Sequence, residues 1–295
     1  MSAMKRMMSL ASLLATMILL ATQCRPAIEE PSREVLYWTG MKEGVAAYRI
    51  PALATAPNGD LIAAIDERVC NPWDLKDNED INILVRRSSD NGKTWSTPEY
   101  AVNYELGKSA SDPSLIVDHE TGEIFLFYNY MDLRNEHMVF YLHYVKSSDN
   151  GKTWSEAVDI TPQITVPEWK HDFKFITSGH GIQTADGKLL HTLVNLSNGL
   201  HLFASDDHGA TWQLIDHAMK PADESKVVEL SDGSWMVNCR LNNYDGQGPA
   251  CRHIHLTSDQ GKTWTVYDEP QLTDPGCNAA IHRYSSKAAG ADKNR

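Results

Sequence analysis

The eight-residue pattern S/T-x-D-x-G-x-T-W occurs four times in this chain. It stands as SSDNGKTW at 88–95 and 147–154, as SDDHGATW at 205–212 and as TSDQGKTW at 257–264, at intervals of 52 to 59 residues. A period of that size means an array of supersecondary units, none of which buries its apolar face alone. Asp90, Asp149, Asp207 and Asp259 are placed to accept hydrogen bonds from backbone N–H groups two residues on, closing an Asx-type turn. Gly92, Gly151, Gly209 and Gly261 stand where such a turn needs positive φ. The closing tryptophan is an apolar plug between neighbouring units. The boxes read as structural turns.

Between the boxes, short apolar runs alternate with turn residues. YRIPALATA leads to Asn58-Gly59, SDPSLIVD to Thr121-Gly122, HGIQT to Asp186-Gly187 and ESKVVEL to Asp232-Gly233; each is followed by a second apolar run. These are hairpin signals. A third strand enters each box and a fourth leaves it, and four strands per unit is the blade of a β-propeller. The first strand of a blade lies nearest the axis, so equivalent positions at its start converge on one axial mouth. Counting back from the hairpin glycines puts Arg49 ten residues before Gly59, Asp112 ten before Gly122 and Glu224 nine before Gly233. Arg68 and Arg240 lie just past second strands and return to the same face, while the boxes belong to the far one. This strand phase describes a charged pocket on the axis.

The 295 residues are 42% apolar, enough for a substantial core, and the net charge of −12 argues against nucleic acid as a partner. An anionic ligand would need a local basic pocket to overcome that field. Residues 1–27 have the form of an export signal, with Lys5 and Arg6 before an apolar run at 7–21. Cys24 follows Ala21-Thr22-Gln23 in a context that resembles a lipoprotein cleavage site, so membrane attachment through a lipidated Cys24 and simple export both stay open. Cys70, Cys239, Cys251 and Cys277 are too few and scattered for a disulfide scaffold; Cys239 and Cys251 either pair across a hairpin or stay as thiols. His180, His201 and His208 lack metal-ligand spacing. Arg86 and Arg87, on a strand running toward a box, read as structural.

Tyr48-Arg49-Ile50-Pro51, the four boxes, DER at 66–68, SDPS at 111–114 and ESKVVELSDGSWMVNCR at 224–240 together resemble the exo-α-sialidase (neuraminidase) family. The resemblance implies an all-β, six-bladed propeller of sialidase type over residues 28–295. It implies release of terminal sialic acid from glycoproteins, gangliosides and oligosaccharides with retention of configuration, and no cofactor or metal. Carried over by residue, Arg49 and Arg240 belong to the arginine cluster that grips the sugar carboxylate. Arg68 lies near the sugar's 4-position and Asp112 in the pocket. Asp74, 25 residues after Arg49, is the acid/base, with Asp77 as the fallback in a loop longer than usual. Glu224 activates the nucleophile, a tyrosine in this family. A guanidinium fork suits a carboxylate because it donates two parallel hydrogen bonds. A tyrosine suits the anomeric carbon because a carboxylate nucleophile would be repelled by the sugar's own carboxylate.

On the family spacing, the third arginine and the nucleophilic tyrosine fall beyond Arg295, and Tyr267 and Tyr284 do not match the tyrosine's place. CNAAIHRY at 277–284 has the form of a fifth inner strand, so about four to five of six blades are expected. Two readings follow: a C-terminally truncated sialidase, or an Asp-box propeller that binds sialylated glycans without hydrolysing them. A purely structural propeller leaves the shared strand phase of Arg49, Asp112 and Glu224 without an explanation. Export implies the periplasm or the cell surface.

Overall fold

The computed structural model describes residues 33–241, 250–285, 287 and 290–295. The leader assigned to residues 1–27, with Cys24, lies outside the described residues. No described helix is long and apolar enough to cross a membrane. Contacts divide the chain into residues 1–35 and 36–295, and every described strand lies in the second unit.

Four sheets follow one another in chain order. The first contains β1 (Ala47–Thr55), β2 (Leu61–Arg68), β3 (Ile81–Ser88) and β4 (Glu99–Val102) in that spatial order. The second contains β5 (Lys108–Val117), β6 (Ile124–Asp132), β7 (Tyr141–Ser147) and β8 (Val158–Asp159). In the third, the inner strand is broken into β9 (Lys174–Ile176), β10 (Gly179–His180) and β11 (Ile182–Gln183), ahead of β12 (Leu189–Asn195), β13 (Gly199–Ser205) and β14 (Gln213–Met219). β9 and β11 pair with β12, while β10 crosses to pair in parallel with β5 of the preceding sheet. The fourth contains β15 (Ser225–Glu229), β16 (Trp235–Cys239), β17 (Cys251–Thr257) and β18 (Thr265–Thr273). These are four meander blades of a propeller. The fifth inner strand expected at 277–284 does not form a ladder, although residues 276–283 run along the axis.

The core lies between blades. Ile62, Ile83 and Val85 of the first blade meet Leu115, Ile124 and Tyr128 of the second. Phe125, Phe127 and Tyr144 meet Leu189, Leu193 and Phe203 of the third. Leu190 and Leu202 meet Val227, Trp235 and Val237 of the fourth. A blade between two others is covered on both faces, which is why β12 and β13 are buried along their whole length. β18, the outermost strand of its sheet, is exposed almost throughout.

Each Asp box joins a third strand to a fourth, as expected, but its hydrogen bonds run differently. Asp90 accepts from residue 94, four positions on: Thr94 N at 2.9 Å and Thr94 Oγ1 at 2.7 Å. The opening serine spans four positions too: its Oγ takes the N–H of Gly92 at 2.8 Å and donates to Asp90 Oδ1 at 2.8 Å. Both bonds close a turn that holds two consecutive residues at positive φ, Asn91 at 59° and Gly92 at 81°. The boxes also clamp neighbouring blades: a Cβ on Gly209 would stand 2.4 Å from Phe125 in the preceding blade. Trp212 is buried there, with its ring 5.8 Å from Phe125 and 5.2 Å from Phe127.

Cys239 and Cys251 are both thiols. The β16–β17 register pairs Cys239 with His253, which leaves Cys251 two residues past the position a bridge would require. Arg87 pairs with Glu99 and Arg86 lies over the Tyr37 ring, both within the outer part of the first blade.

Candidate active site

The axial end opposite the boxes opens into a cavity of about 920 Å³. Arg49, Asp74, Asp112, Glu224 and Arg240 all line it. The register explains how residues so far apart in sequence meet. Ser225 pairs with Cys239, so Glu224 and Arg240 stand one step beyond the last rung of the β15–β16 ladder and form an ion pair there. The N–H of Asp223 closes that step on Arg240 O at 2.9 Å. On the first blade Arg49 pairs with Asp66, and Arg68, two residues further along β2, shares that face.

Arg49 and Asp112 do not hold equivalent positions, which corrects the count from the hairpin glycines. Both inner strands carry a bulge, between Arg49 and Ala52 in β1 and between Ser111 and Ser114 in β5. At each bulge the residue before a proline takes positive φ: Ile50 at 59° and Asp112 at 63°. Asp112 therefore matches Ile50, and Arg49 matches Ser111. The one-residue error comes from the turns, which close as Ala56 N to Asp60 O in the first blade and Asp118 N to Glu123 O in the second. Bulges of this kind re-aim side chains at the ends of strands, and Ile50 shows the local strain such a site tolerates.

Asp74 stands at the start of a 3-10 turn (Leu75–Asp77) in the β2–β3 connection. Its Oδ1 accepts from Arg49 Nη1 at 3.3 Å and Arg68 Nη1 at 2.7 Å. Asp77 is turned outward, paired with Lys76, and does not line the cavity. Arg68 does not line it either, contrary to its expected place against the sugar. Its side chain is fully buried, with Nη2 2.9 Å from Asp66 Oδ2 and Nη1 bonded to Pro72 O at 3.0 Å and Trp73 O at 2.8 Å. Arg68 thus anchors the loop that presents Asp74.

Several further residues shape the site. Asp66, fully buried, accepts Ser111 Oγ at 2.8 Å and the N–H of Asp112 at 2.9 Å, so it shapes the bulge. Burial and the nearby Asp112 charge push the Asp66 carboxyl up, against the pull of Arg68 and the Ser111 hydroxyl. Burial also pushes Asp112 up, against the hydrogen bond from Asn129 and the charge of Arg68. Lys226, two residues after Glu224, is buried beneath the cavity with Nζ 2.7 Å from Asn278 Oδ1. Burial brings its ammonium down to about 7. Asn278 in turn reaches Ser178 Oγ at 2.9 Å, which ties the third blade to the segment after β18. Leu75, Phe140, Phe173, Phe175 and Leu196 form an apolar side of the same cavity, with Phe140 and Phe173 edge to face at 4.7 Å. The β2 motif DER made Asp66 visible; Lys226 and the phenylalanines had no distinguishing pattern.

An Asp-box propeller with an arginine–carboxylate cavity on its axis defines a class of protein. The BNR repeat-like domain model matches residues 74–288, and the chain belongs to that family, in which its relatives are sialidases. It is 34% identical over 268 residues to a sialidase of Micromonospora viridifaciens, covering 82% of this chain and 40% of the relative. It is 29% identical to a sialidase of Bacteroides fragilis, covering 82% of this chain and 48% of the relative. The solved structure of Hadza microbial sialidase Hz136 superposes with a TM-score of 0.69 at 30% identity, over 79% of this chain and 49% of that one. The chain thus spans 40 to 49% of the length of these relatives.

Proposed function

We propose that the cavity is the sialic acid site of an exo-α-sialidase acting on sialylated glycoproteins, gangliosides and oligosaccharides. The observation that carries this is the meeting of two arginines from different blades, Arg49 and Arg240, in one cavity with Asp74 and Glu224. In a protein of net charge −12, guanidiniums gathered at one concave site suit a carboxylate ligand. The apolar side of the cavity suits the less polar substituents of a sugar acid. Arg49 and Arg240 hold the sugar carboxylate in this reading. Asp74, at the cavity edge, protonates the departing glycosidic oxygen and then activates water. Glu224 is placed to draw the proton from a tyrosine nucleophile, which none of the described cavity residues supplies, and its pairing with Arg240 fixes its orientation. Arg68 acts through Asp74 by fixing its loop. Export by the 1–27 leader would bring this site to extracellular glycans.

A second reading, binding without hydrolysis, is favoured by one observation: among the described residues no tyrosine lines the cavity. The deciding experiment adds a methylumbelliferyl sialoside to the purified chain and follows fluorophore release together with binding of free sialic acid. Turnover supports the hydrolase. Saturable binding without turnover supports the binding module. Arg49→Ala is expected to abolish recognition in either case, and unchanged affinity would refute the carboxylate assignment.

A further inference from the structure

The loop that carries Asp74 is fixed from several sides. Asn71 Oδ1 accepts Trp73 N at 2.8 Å, and Asn71 Nδ2 donates to Asp77 O at 3.1 Å. Arg68 Nη1 donates to Trp73 O at 2.8 Å, and His137 Nε2 donates to Lys76 O at 2.9 Å. Leu75 is buried against Met131 and Phe140. Within this tied segment the Trp73 indole remains 63% exposed. A lone exposed apolar side chain is ordinary on a protein surface, so exposure alone means nothing. The position of Trp73 carries more. A general acid works only within hydrogen-bond reach of the leaving oxygen, about 3 Å. The leaving group must therefore pass close to Asp74, and consecutive Cα atoms are about 3.8 Å apart.

We propose that Trp73 is the platform on which the sugar released from sialic acid packs, making it a specificity-determining residue on the leaving-group side of the cavity. This rests on the sialoside reading of the cavity and extends it to the neighbouring residue of the glycan. An indole face covers the C–H face of a pyranose, and an aromatic held by a rigid loop loses little freedom on binding. Trp73 lies outside the cavity wall itself, so it adds affinity for the leaving sugar without touching the sialic acid.

The test compares two kinds of non-hydrolysable ligand on the full chain by calorimetry: methyl α-thiosialoside, and sialyllactose analogues with sulfur as the glycosidic atom in the 3′ and the 6′ linkage. Trp73→Ala is expected to weaken the lactose analogues about tenfold while leaving the methyl sialoside unchanged. Trp73→Phe is expected to retain part of the difference. Equal weakening of both ligands, or no change in their ratio, would overturn the proposal. A dimer of the wild type that Trp73→Ala dissolves would also overturn it, by showing the indole covered by a second copy. If neither ligand binds the wild type, the sialoside reading itself fails and takes the platform with it. If the methyl sialoside binds and the ratio is unaffected by Trp73→Ala, only the platform fails.

Discussion

Replacing Arg68 with methionine isolates the anchoring role that its burial implies. The substitution keeps an unbranched apolar stem in place of the arginine's but removes its bonds to Asp66, Pro72 O, Trp73 O and Asp74. Removing one member of a buried ion pair typically costs about 3–5 kcal/mol, because the other charge is left uncompensated. At about 2–4 °C per kcal/mol for a domain of this size, the melting temperature should fall by roughly 10 °C. The stranded group is Asp66, fully buried, with its carboxyl already pushed up by burial. Without Arg68 it rises further, so the native state takes up a proton that the unfolded chain releases above about pH 4. The penalty should therefore be larger at pH 8 than at pH 5. Adding Asp66→Asn to Arg68→Met removes the stranded charge and should recover about 2 kcal/mol, a coupling readable in a double-mutant cycle of urea and thermal unfolding followed by circular dichroism. Sialoside binding should not recover with it, because the 70–80 loop stays unanchored. A loss below about 1 kcal/mol, or no rescue by Asp66→Asn, would show that Arg68 is not the anchor and would return it to direct contact with substrate.

Gly209→Ala should cost about 2–4 kcal/mol, from positive φ plus a Cβ forced against Phe125, while Gly122→Ala, with similar φ but open space around it, should cost about 1 kcal/mol; equal losses in urea unfolding would remove the box-to-blade clamp from the argument. The side-chain and backbone donors of Thr94 hold Asp90 down to about 2, so its stabilisation is complete above the unfolded carboxyl value and disappears as pH falls toward 2. The melting-temperature gap between wild type and Asp90→Asn should accordingly be full at pH 5 and vanish near pH 2, and a gap independent of pH would contradict the bonding described.

Much of the architecture was legible because it is local and repeated. The spacing of Asp, Gly and Trp in each box, and of the hairpin glycines, reports turns whose geometry depends on neighbours a few residues away. Four copies then imply blades. That Glu224 and Arg240 return to one face was legible for the same reason, since sixteen residues close one hairpin. The equivalence of Arg49 and Asp112 was misjudged because a one-residue difference in turn length shifts the phase of an inner strand, and the bulges hide that shift from a simple count.

Residues 88–95 and their three repeats, with the alternating apolar runs, were enough to specify an Asp-box propeller and to mark Arg49, Asp112, Glu224 and Arg240 as candidates, whereas Asp74 entered only through the family resemblance. Which of the acids and arginines face the cavity depended on packing between blades. Asp74 and Asp77 lie three residues apart in one loop, and only the 3-10 turn with the arginines behind it sends one inward and the other out. Asp66, two residues from Arg68, holds its guanidinium, and Ser111 and the Asp112 N–H from the next blade bind Asp66 in turn, a buried network that takes Arg68 and leaves Arg49 at the cavity. Such placements follow from desolvation and from how a local loop is packed against the next blade, which no window along the chain reports.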